Sequence, residues 1–408
     1  MLLSSLIALQ LQQPLAGLWH GTFKPGRESI TVLMELRLDG QGWQGSVRSP
    51  QMGEEAAKLE SLKVDGKELS FRIPDLGASY TGTLDAAGER IRGSIRRKSA
   101  LTLDFARGWP ERPLVRSQTP KLPLPYSVEP LKLTSRDGTL LSATLTVPKG
   151  VPAAVCVLFG GSGPQDRDCT ILDHKPLLVM ADQLARNGIA SIRWDDRGVG
   201  ESSGVFAETG LAEMTEDGPA ALDAVRARWP QARMGVVGLS QGCIPAWKLA
   251  EHTDAVHGAF LLSPVAGDPW SSISRASGPD VARVAQELSR LEWRAALAAV
   301  AQQSAAAQEP LRGLLGERSS FESLTFRFRT IPRSIQAYAV LGGRDEQYSA
   351  TDSVAALGKI GIKCEVIRDA NHLMQPCRNG AMSLVRENPV TLHLKVIKWL
   401  ADGMKRLK

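Results

Sequence analysis

Apolar and polar positions along the chain follow two periods, and the change from one to the other divides it. From about Leu15 to Arg107 short runs alternate with period two and are broken by turn chemistry. Thr31–Leu38 runs into Asp39-Gly40, Leu62-Lys63-Val64 into Asp65-Gly66, and Ser79–Leu84 into Asp85–Gly88. Asp-Gly between alternating runs marks hairpins. About eight strands fit, which predicts a small antiparallel barrel or sandwich over residues 15–109. Prolines then crowd the chain at Pro110, Pro113, Pro120, Pro123 and Pro125. Each fixes φ and removes a donor, so 110–126 is expected to be a semi-rigid linker.

Beyond it, Arg136-Asp137-Gly138 signals a hairpin, and then buried strands alternate with helices. Strand runs are Ala153–Phe159, Ala190–Trp194, Met234–Val237, Ala259–Leu262, Ala337–Leu341 and Lys363–Ile367. Helix runs are Pro176–Asn187, closed by Gly188, Glu216–Trp229, stopped by Pro230, one from about Gln241, and Asn388–Leu407. This alternation predicts an α/β domain over 127–408, a parallel sheet covered on both faces. Residues from Pro269 to about Arg333 interrupt it with helix-period positions such as Val284, Leu288 and Leu291 and an Ala-rich run at 295–307. They are expected to form a helical cap over the site.

Candidate chemistry sits where strands end. Gly238-Leu239-Ser240-Gln241-Gly242 lies between the strand Gly235–Val237 and the helix Cys243–Ala250. A GxSxG in that context is a nucleophile elbow, a turn so tight that its flanking positions must lack side chains. A serine hydroxyl needs a base to take its proton, and in a sheet of this kind the order is serine, acid, histidine. His372 follows the Lys363–Ile367 strand in the polar loop Asp369-Ala370-Asn371, whereas His393 falls beside Leu392 and Leu394 in the expected closing helix. His372 is therefore the expected base, and Asp369 a loop-capping residue. Asp345 ends Gly342-Gly343-Arg344 after the preceding strand, with Glu346 as its neighbouring competitor. Its expected task is to fix the imidazole tautomer. Two backbone N–H groups would stabilise an oxyanion, one from Gln241 and one from Ser162 in Gly160-Gly161-Ser162-Gly163-Pro164. The charges of Gln165-Asp166-Arg167-Asp168 are expected to pair with one another and brace that loop. Asp195-Asp196-Arg197-Gly198-Val199-Gly200-Glu201-Ser202 reads as a structural loop, since no GxxxxGK[ST] is present.

The chain resembles bacterial α/β-hydrolase carboxylesterases that carry an N-terminal lipocalin-like β domain. The segments that carry the resemblance are Gly160–Asp168, Trp194–Ser202, the elbow, Gly342–Asp345 and Ala370–His372; for the front part they are Trp19-His20-Gly21 and Tyr80-Thr81-Gly82. The resemblance implies the α/β-hydrolase fold and a serine hydrolase that cleaves small carboxylic esters through an acyl-enzyme, without metal or organic cofactor. One departure stands out: many relatives carry His-Gly where this chain has Gly160-Gly161. A serine exopeptidase or amidase remains open, with Glu287 and Glu292 in the cap as candidates to hold a substrate amine. An acyl thioesterase also remains open, as does a non-catalytic binding protein on a hydrolase scaffold.

Composition adds limits. Among 408 residues, 49 Lys and Arg against 43 Asp and Glu leave a net charge of +6, slight at this length, so basic clusters such as Arg96-Arg97-Lys98 read as solvated surface and no nucleic-acid partner is expected. Five cysteines show no CxxC or Cys/His ligand spacing, so no metal site is expected. Cys156 and Cys364 fall in apolar runs and are expected to be buried thiols, while Cys169 and Cys377 are candidates for a disulfide. Met1–Leu11 is apolar but too short to span a bilayer. Residues 1–14 are a candidate signal segment without the usual positive leader, so the protein is expected in the periplasm or secreted, with the cytoplasm as the alternative. No integral membrane segment is expected. The residues that bind substrate and the oligomeric state stay open.

Overall fold

The computed structural model describes residues 15–23, 30–39, 42–49, 53–97, 99–108, 116–329, 335–377, 380, 385 and 388–408. The candidate signal segment at 1–14 lies outside the described residues, as do positions 110–115 of the expected linker. The chain divides into two compact units, Met1–Pro113 and Leu114–Lys408.

In the first unit the described residues form ten strands: β1 Gly17–Phe23, β2 Ile30–Asp39, β3 Gly42–Ser49, β4 Gly53–Lys58, β5 Glu60–Asp65, β6 Glu68–Ile73, β7 Ala78–Leu84, β8 Arg90–Arg96, β9 Ala100–Thr102 and β10 Phe105–Arg107. All pairings are antiparallel, in the order β4-β3-β2-β1-β10-β8-β7-β6-β5 with β9 added to β8. The expectation of about eight strands falls short because β9 and β10 are too short to show an alternation and β4 lacks apolar spacing. Trp19, Phe71, Tyr80 and Phe105 fill the interior. The Tyr80 ring stacks on Phe71 at 4.9 Å and meets the edge of Phe105 at 5.3 Å, while its hydroxyl donates to the Leu103 carbonyl at 3.1 Å. This ring explains the paired glycines Gly82 and Gly93. They face each other across β7 and β8, and a Cβ at either would lie 2.6 or 2.2 Å from the Tyr80 hydroxyl.

The second unit is built on an eight-stranded sheet: β11 Ser127–Thr134, β12 Leu140–Val147, β13 Ala154–Phe159, β14 Ile189–Trp194, β15 Arg233–Leu239, β16 Gly258–Leu262, β17 Gln336–Gly342 and β18 Lys363–Ile367. Their order is β11-β12-β14-β13-β15-β16-β17-β18. β12 runs antiparallel to both neighbours, and β13 to β18 are parallel. The central strands are buried on both faces, as continuous apolar runs demand. Helices α1 Pro176–Arg186, α2 Leu211–Arg228, α3 Cys243–Glu251, α9 Ala350–Gly358 and α10 Leu394–Lys405 flank the sheet. Two helix starts differ from the sequence reading by five residues or more. α2 starts five residues earlier, because the Glu213 carboxylate turns back to the Gly210 N–H and caps an extra turn ahead of Pro219. α10 starts at Leu394 instead of Asn388, because the His393 imidazole accepts from the Lys395 N–H and acts as its N-cap. His393 is thus not a packed helix histidine. Part of the expected linker belongs to this unit. The buried Arg116 guanidinium donates to the carbonyls of Leu172, Asp173 and Asn388, and Gln118 bonds to the backbone of Thr391 and Leu392.

Between β16 and β17 lie five short helices: α4 Pro269–Ser277, α5 Pro279–Leu288, α6 Trp293–Val300, α7 Ala305–Leu315 and α8 Arg318–Ser323. Val281, Ala285, Leu288, Ala296, Leu311 and Phe321 give this insertion a core of its own. Leu291, expected on the apolar face, is exposed in the turn between α5 and α6. The insertion is fastened to α2: the Glu322 carboxylate accepts from the Leu211 N–H at 2.7 Å, and Arg318 pairs with Glu213 at 2.8 Å.

Candidate active site

β15 delivers Ser240 into a sharp turn where its φ is +54°, a left-handed value that a serine adopts only under constraint. The constraint is steric. A Cβ at Gly238 would lie 2.4 Å from the Cys243 Cα, and one at Gly242 would lie 1.9 Å from the Gly160 carbonyl oxygen. The two glycines of the motif therefore let the turn close against α3 and against the loop after β13. Ser240 is 8 % exposed.

The loop after β18 brings His372 to the same place. Its Nε2 lies 2.8 Å from the Ser240 Oγ, and its Nδ1 lies 2.7 Å from Asp345 Oδ2. With Asp345 ionised, Nδ1–H donates to the carboxylate and Nε2 accepts from the serine hydroxyl. The other oxygen of Asp345 accepts from the backbone N–H groups of Gln347 and Tyr348 at 2.8 and 2.9 Å, so the carboxylate cannot rotate away. Glu346, the competitor in sequence, makes neither contact. The Tyr348 ring packs on His372 with centroids 5.5 Å apart, and burial together with the Asp345 charge pushes its phenol up to about 12. His372 and Asp345 are almost wholly buried.

Two braces at this site are not visible in the sequence. Asn371 and Gln375 lock the histidine loop: the Asn371 amide donates to Gln375 Oε1 at 2.9 Å, and the Gln375 N–H donates to Asn371 Oδ1 at 2.9 Å. The second brace holds the loop after β13. Gly161 passes beside Ser240, since a Cβ there would lie 3.7 Å from the Leu239 carbonyl and 3.9 Å from the Ser240 Cβ. The N–H of Gln165 donates to Asp196 Oδ2 at 2.9 Å, and the Asp196 N–H donates back to the Gln165 carbonyl at 3.0 Å.

The charges at 166–168 do not pair with one another as expected. Arg167 reaches Asp195 with two nitrogens, at 2.9 and 2.5 Å, and Asp168 meets Lys175 and Arg193. Asp166 caps the Asp168 and Thr170 N–H groups. Charges of one short loop find better geometry on neighbouring elements than on each other. The 195–202 loop is absorbed in the same work. Arg197 pairs with Asp217 and Asp137, and the Ser202 hydroxyl donates to the Asp195 carbonyl at 2.7 Å. Cys169 and Cys377 are separate thiols with no bridge between them. Burial pushes Cys169 up to about 12, so it stays protonated at neutral pH. Cys156 is buried as expected, while Cys364 is only half-buried. Asp369 pairs with His393 at 3.4 Å instead of capping its own loop alone. Among the described residues no group of three or more His, Cys, Asp or Glu is placed to hold a metal ion, and no helix is long and apolar enough to cross a membrane.

Two buried groups make stability depend on pH in opposite senses. Burial, assisted by the charges of Asp217, Asp195 and Asp166, raises Asp196 from 3.8 to about 7. Between those values the unfolded chain releases a proton that the folded chain keeps, so this group costs stability as pH rises through the window. His174 is buried between the Thr391 hydroxyl and the Val385 carbonyl, and burial lowers it from 6.5 to about 4. Its contribution is lost as pH falls through that range. Asp196→Asn removes only the first effect. The melting temperature of the variant relative to the native protein is expected to rise as pH goes from about 4 to about 7. A difference that stays flat across this range in calorimetry would refute the buried, raised carboxyl.

A family model described as serine aminopeptidase, S33, matches residues 177–312, a stretch that holds Ser240 but neither Asp345 nor His372. Esterase EstD of Thermotoga maritima is 27 % identical over 269 residues, a match that spans 62 % of this chain and 62 % of that protein. Among solved structures, an esterase of Pyrococcus furiosus aligns with a TM-score of 0.43 at 14 % identity, covering 69 % of this chain and 93 % of that one. A hypothetical protein of Pseudomonas aeruginosa aligns at 0.46 and 16 %, covering 73 % and 98 %. By its sheet order and its sequence matches, the second unit has the α/β-hydrolase fold, and an antiparallel β unit precedes it in the chain. Its sequence relatives include an esterase and the serine aminopeptidase family.

Proposed function

We propose that the protein is a carboxylesterase in which Ser240 is the nucleophile, His372 the general base and Asp345 the residue that orients it. The observation that carries this reading is the unbroken chain from the Ser240 Oγ through His372 to Asp345, at 2.8 and 2.7 Å, within a strand–turn–helix elbow. Ser240 attacks the ester carbonyl while its proton passes to His372 Nε2, and Asp345 stabilises the imidazolium that results. The N–H groups of Gln241 and Ser162 hold the oxyanion. Collapse of the adduct breaks the C–O bond, the alcohol leaves with the proton from Nε2, and water then repeats the sequence on the acyl-enzyme. The likeness to Esterase EstD supports an ester substrate.

The match to the serine aminopeptidase family supports a second reading, in which the scissile bond is an amide next to a free amine. Of the cap carboxylates, Glu287 is already paired with Arg283 at 3.1 Å. Glu292 has no ion pair among the described residues and lines a groove of about 430 Å³ that it shares with Glu208, Arg294 and Arg318. A paired assay separates the readings. p-Nitrophenyl acetate and butyrate are expected to be turned over, with a fluorophosphonate trapped on the peptide that carries Ser240. Turnover of aminoacyl anilides at rates equal to or above the esters would replace the esterase reading with the peptidase one. A protein that neither turns over any of these nor reacts with the fluorophosphonate would leave a binding scaffold.

A further inference from the structure

The loop after β13 has no side chain at Gly160 or Gly161 with which to anchor itself, yet it must present a backbone N–H to the oxyanion within a few tenths of an ångström. We infer that Gln165, clamped by Asp196, is the positioning residue that sets the Ser162 N–H in the oxyanion hole. This rests on the serine-hydrolase reading above.

The peptide that bears the Ser162 N–H joins Gly161 to Ser162, and both its flanks are tied. On one side the Gly161 N–H is turned to the Cys169 thiol. On the other the Gln165 Nε2 donates to the Ser162 carbonyl at 2.7 Å. With its neighbours committed, the Gly161–Ser162 peptide has little freedom to rotate. Its N–H stays available for a ligand beside Ser240, where Gly161 already lies close to the nucleophile. Gln165 is itself immobilised. It is 9 % exposed, its N–H and carbonyl are both held by Asp196, and its stem fills the space beside Gly160, where a Cβ would lie 3.3 Å from that of Gln165. Gly163, at φ +80°, gives the turn that brings the amide of Gln165 back onto Ser162. The bidentate pair of Arg167 with Asp195 anchors the loop two residues further on to the same segment after β14, so the oxyanion loop is referenced to the sheet through 195–196.

Two substitutions separate positioning from mere packing. Gln165→Met keeps the bulk and loses the donor. It is expected to lower kcat on p-nitrophenyl butyrate, and the affinity for an alkyl boronic acid that forms a tetrahedral Ser240 adduct, by about tenfold each, with KM held within about twofold. Gln165→Glu places a carboxylate against the Ser162 carbonyl. It has no proton to donate when ionised and regains a donor when protonated, so its activity relative to the native protein is expected to rise as pH falls. The Asp196 carboxyl, which accepts from the Gln165 N–H, is close enough that its charge favours the protonated form. Equal kcat and boronate affinity in the native protein and Gln165→Met would overturn the inference, as would a pH-independent ratio for Gln165→Glu. If Gln165→Met does not fold, the pH ratio of Gln165→Glu decides. A native protein that neither hydrolyses the ester nor binds the boronate would instead overturn the serine-hydrolase reading beneath it.

Discussion

Replacing Ser240 with alanine is expected to cut ester turnover by about 10⁴-fold or more while the fold persists, because removal of a triad nucleophile leaves only the contribution of the oxyanion hole and binding. The serine hydroxyl bonds His372 and nothing else among the described residues, so its loss orphans one imidazole nitrogen in the folded state. The positive φ is no harder for alanine than for serine, and the elbow is closed by Gly238 and Gly242 instead of by the hydroxyl. The melting temperature of Ser240→Ala should therefore stay within a few degrees of the native value. The decisive measurement is turnover of p-nitrophenyl butyrate together with circular dichroism. Residual activity within about tenfold of the native enzyme, in a variant that no longer reacts with a fluorophosphonate, would mean that another group performs the chemistry.

The elbow and its partners were legible for a physical reason: their constraints are local. Glycines two residues either side of a serine, an apolar strand before and a helix after, specify a turn that few other structures tolerate. That Asp345 and His372 would meet Ser240 could be expected because loops at strand C-termini are short and carry few polar candidates, and the order along the chain does the rest. What the sequence hid depends on contacts between distant segments. Nothing in Gln165 or Asp196 announces that they bond to each other across thirty-one positions. Arg167, flanked by two aspartates, pairs instead with Asp195, because Asp166 is used up by backbone donors and Asp168 by Lys175 and Arg193. The Asn371–Gln375 lock looks in sequence like any polar loop. In the β unit, three-residue strands cannot show a period, and the pairing of Gly82 with Gly93 under Tyr80 is a tertiary fact.

His393 shows the opposite failure, where a strong local pattern misled. Leu392 and Leu394 suggested helix on both sides, but Pro389 and the Gln118 side chain hold 388–392 in an extended turn, and the helix begins only after His393. The error matters because both histidines follow the last strand and compete for the role of base. Geometry separates them: His393 faces the exposed Asp369, whereas His372 lies between Ser240 and Asp345.

His372→Ala is accordingly expected to lower turnover by about 10⁴-fold, and His393→Ala to keep most of it, losing only about 1 kcal/mol of helix capping. The pair with Asp369 adds little, since its carboxylate is exposed and solvent screens it. The reverse ranking would show that the wrong base was chosen. Asp345→Asn tests the same chain from its other end, and the structure fixes how it fails. Oδ1 accepts two backbone N–H groups, so the oxygen of the new amide must stay there and its NH₂ must face His372 Nδ1. An NH₂ cannot accept from Nδ1–H. The imidazole then carries its proton on Nε2, where it can no longer receive one from Ser240. The expected loss is again about 10⁴-fold in kcat, with the native fold retained, as for a histidine held in the wrong tautomer. It should shrink at high pH, where hydroxide can take the proton of Ser240 in place of the disabled base. A loss of less than about tenfold at neutral pH would mean that Asp345 does not set the tautomer.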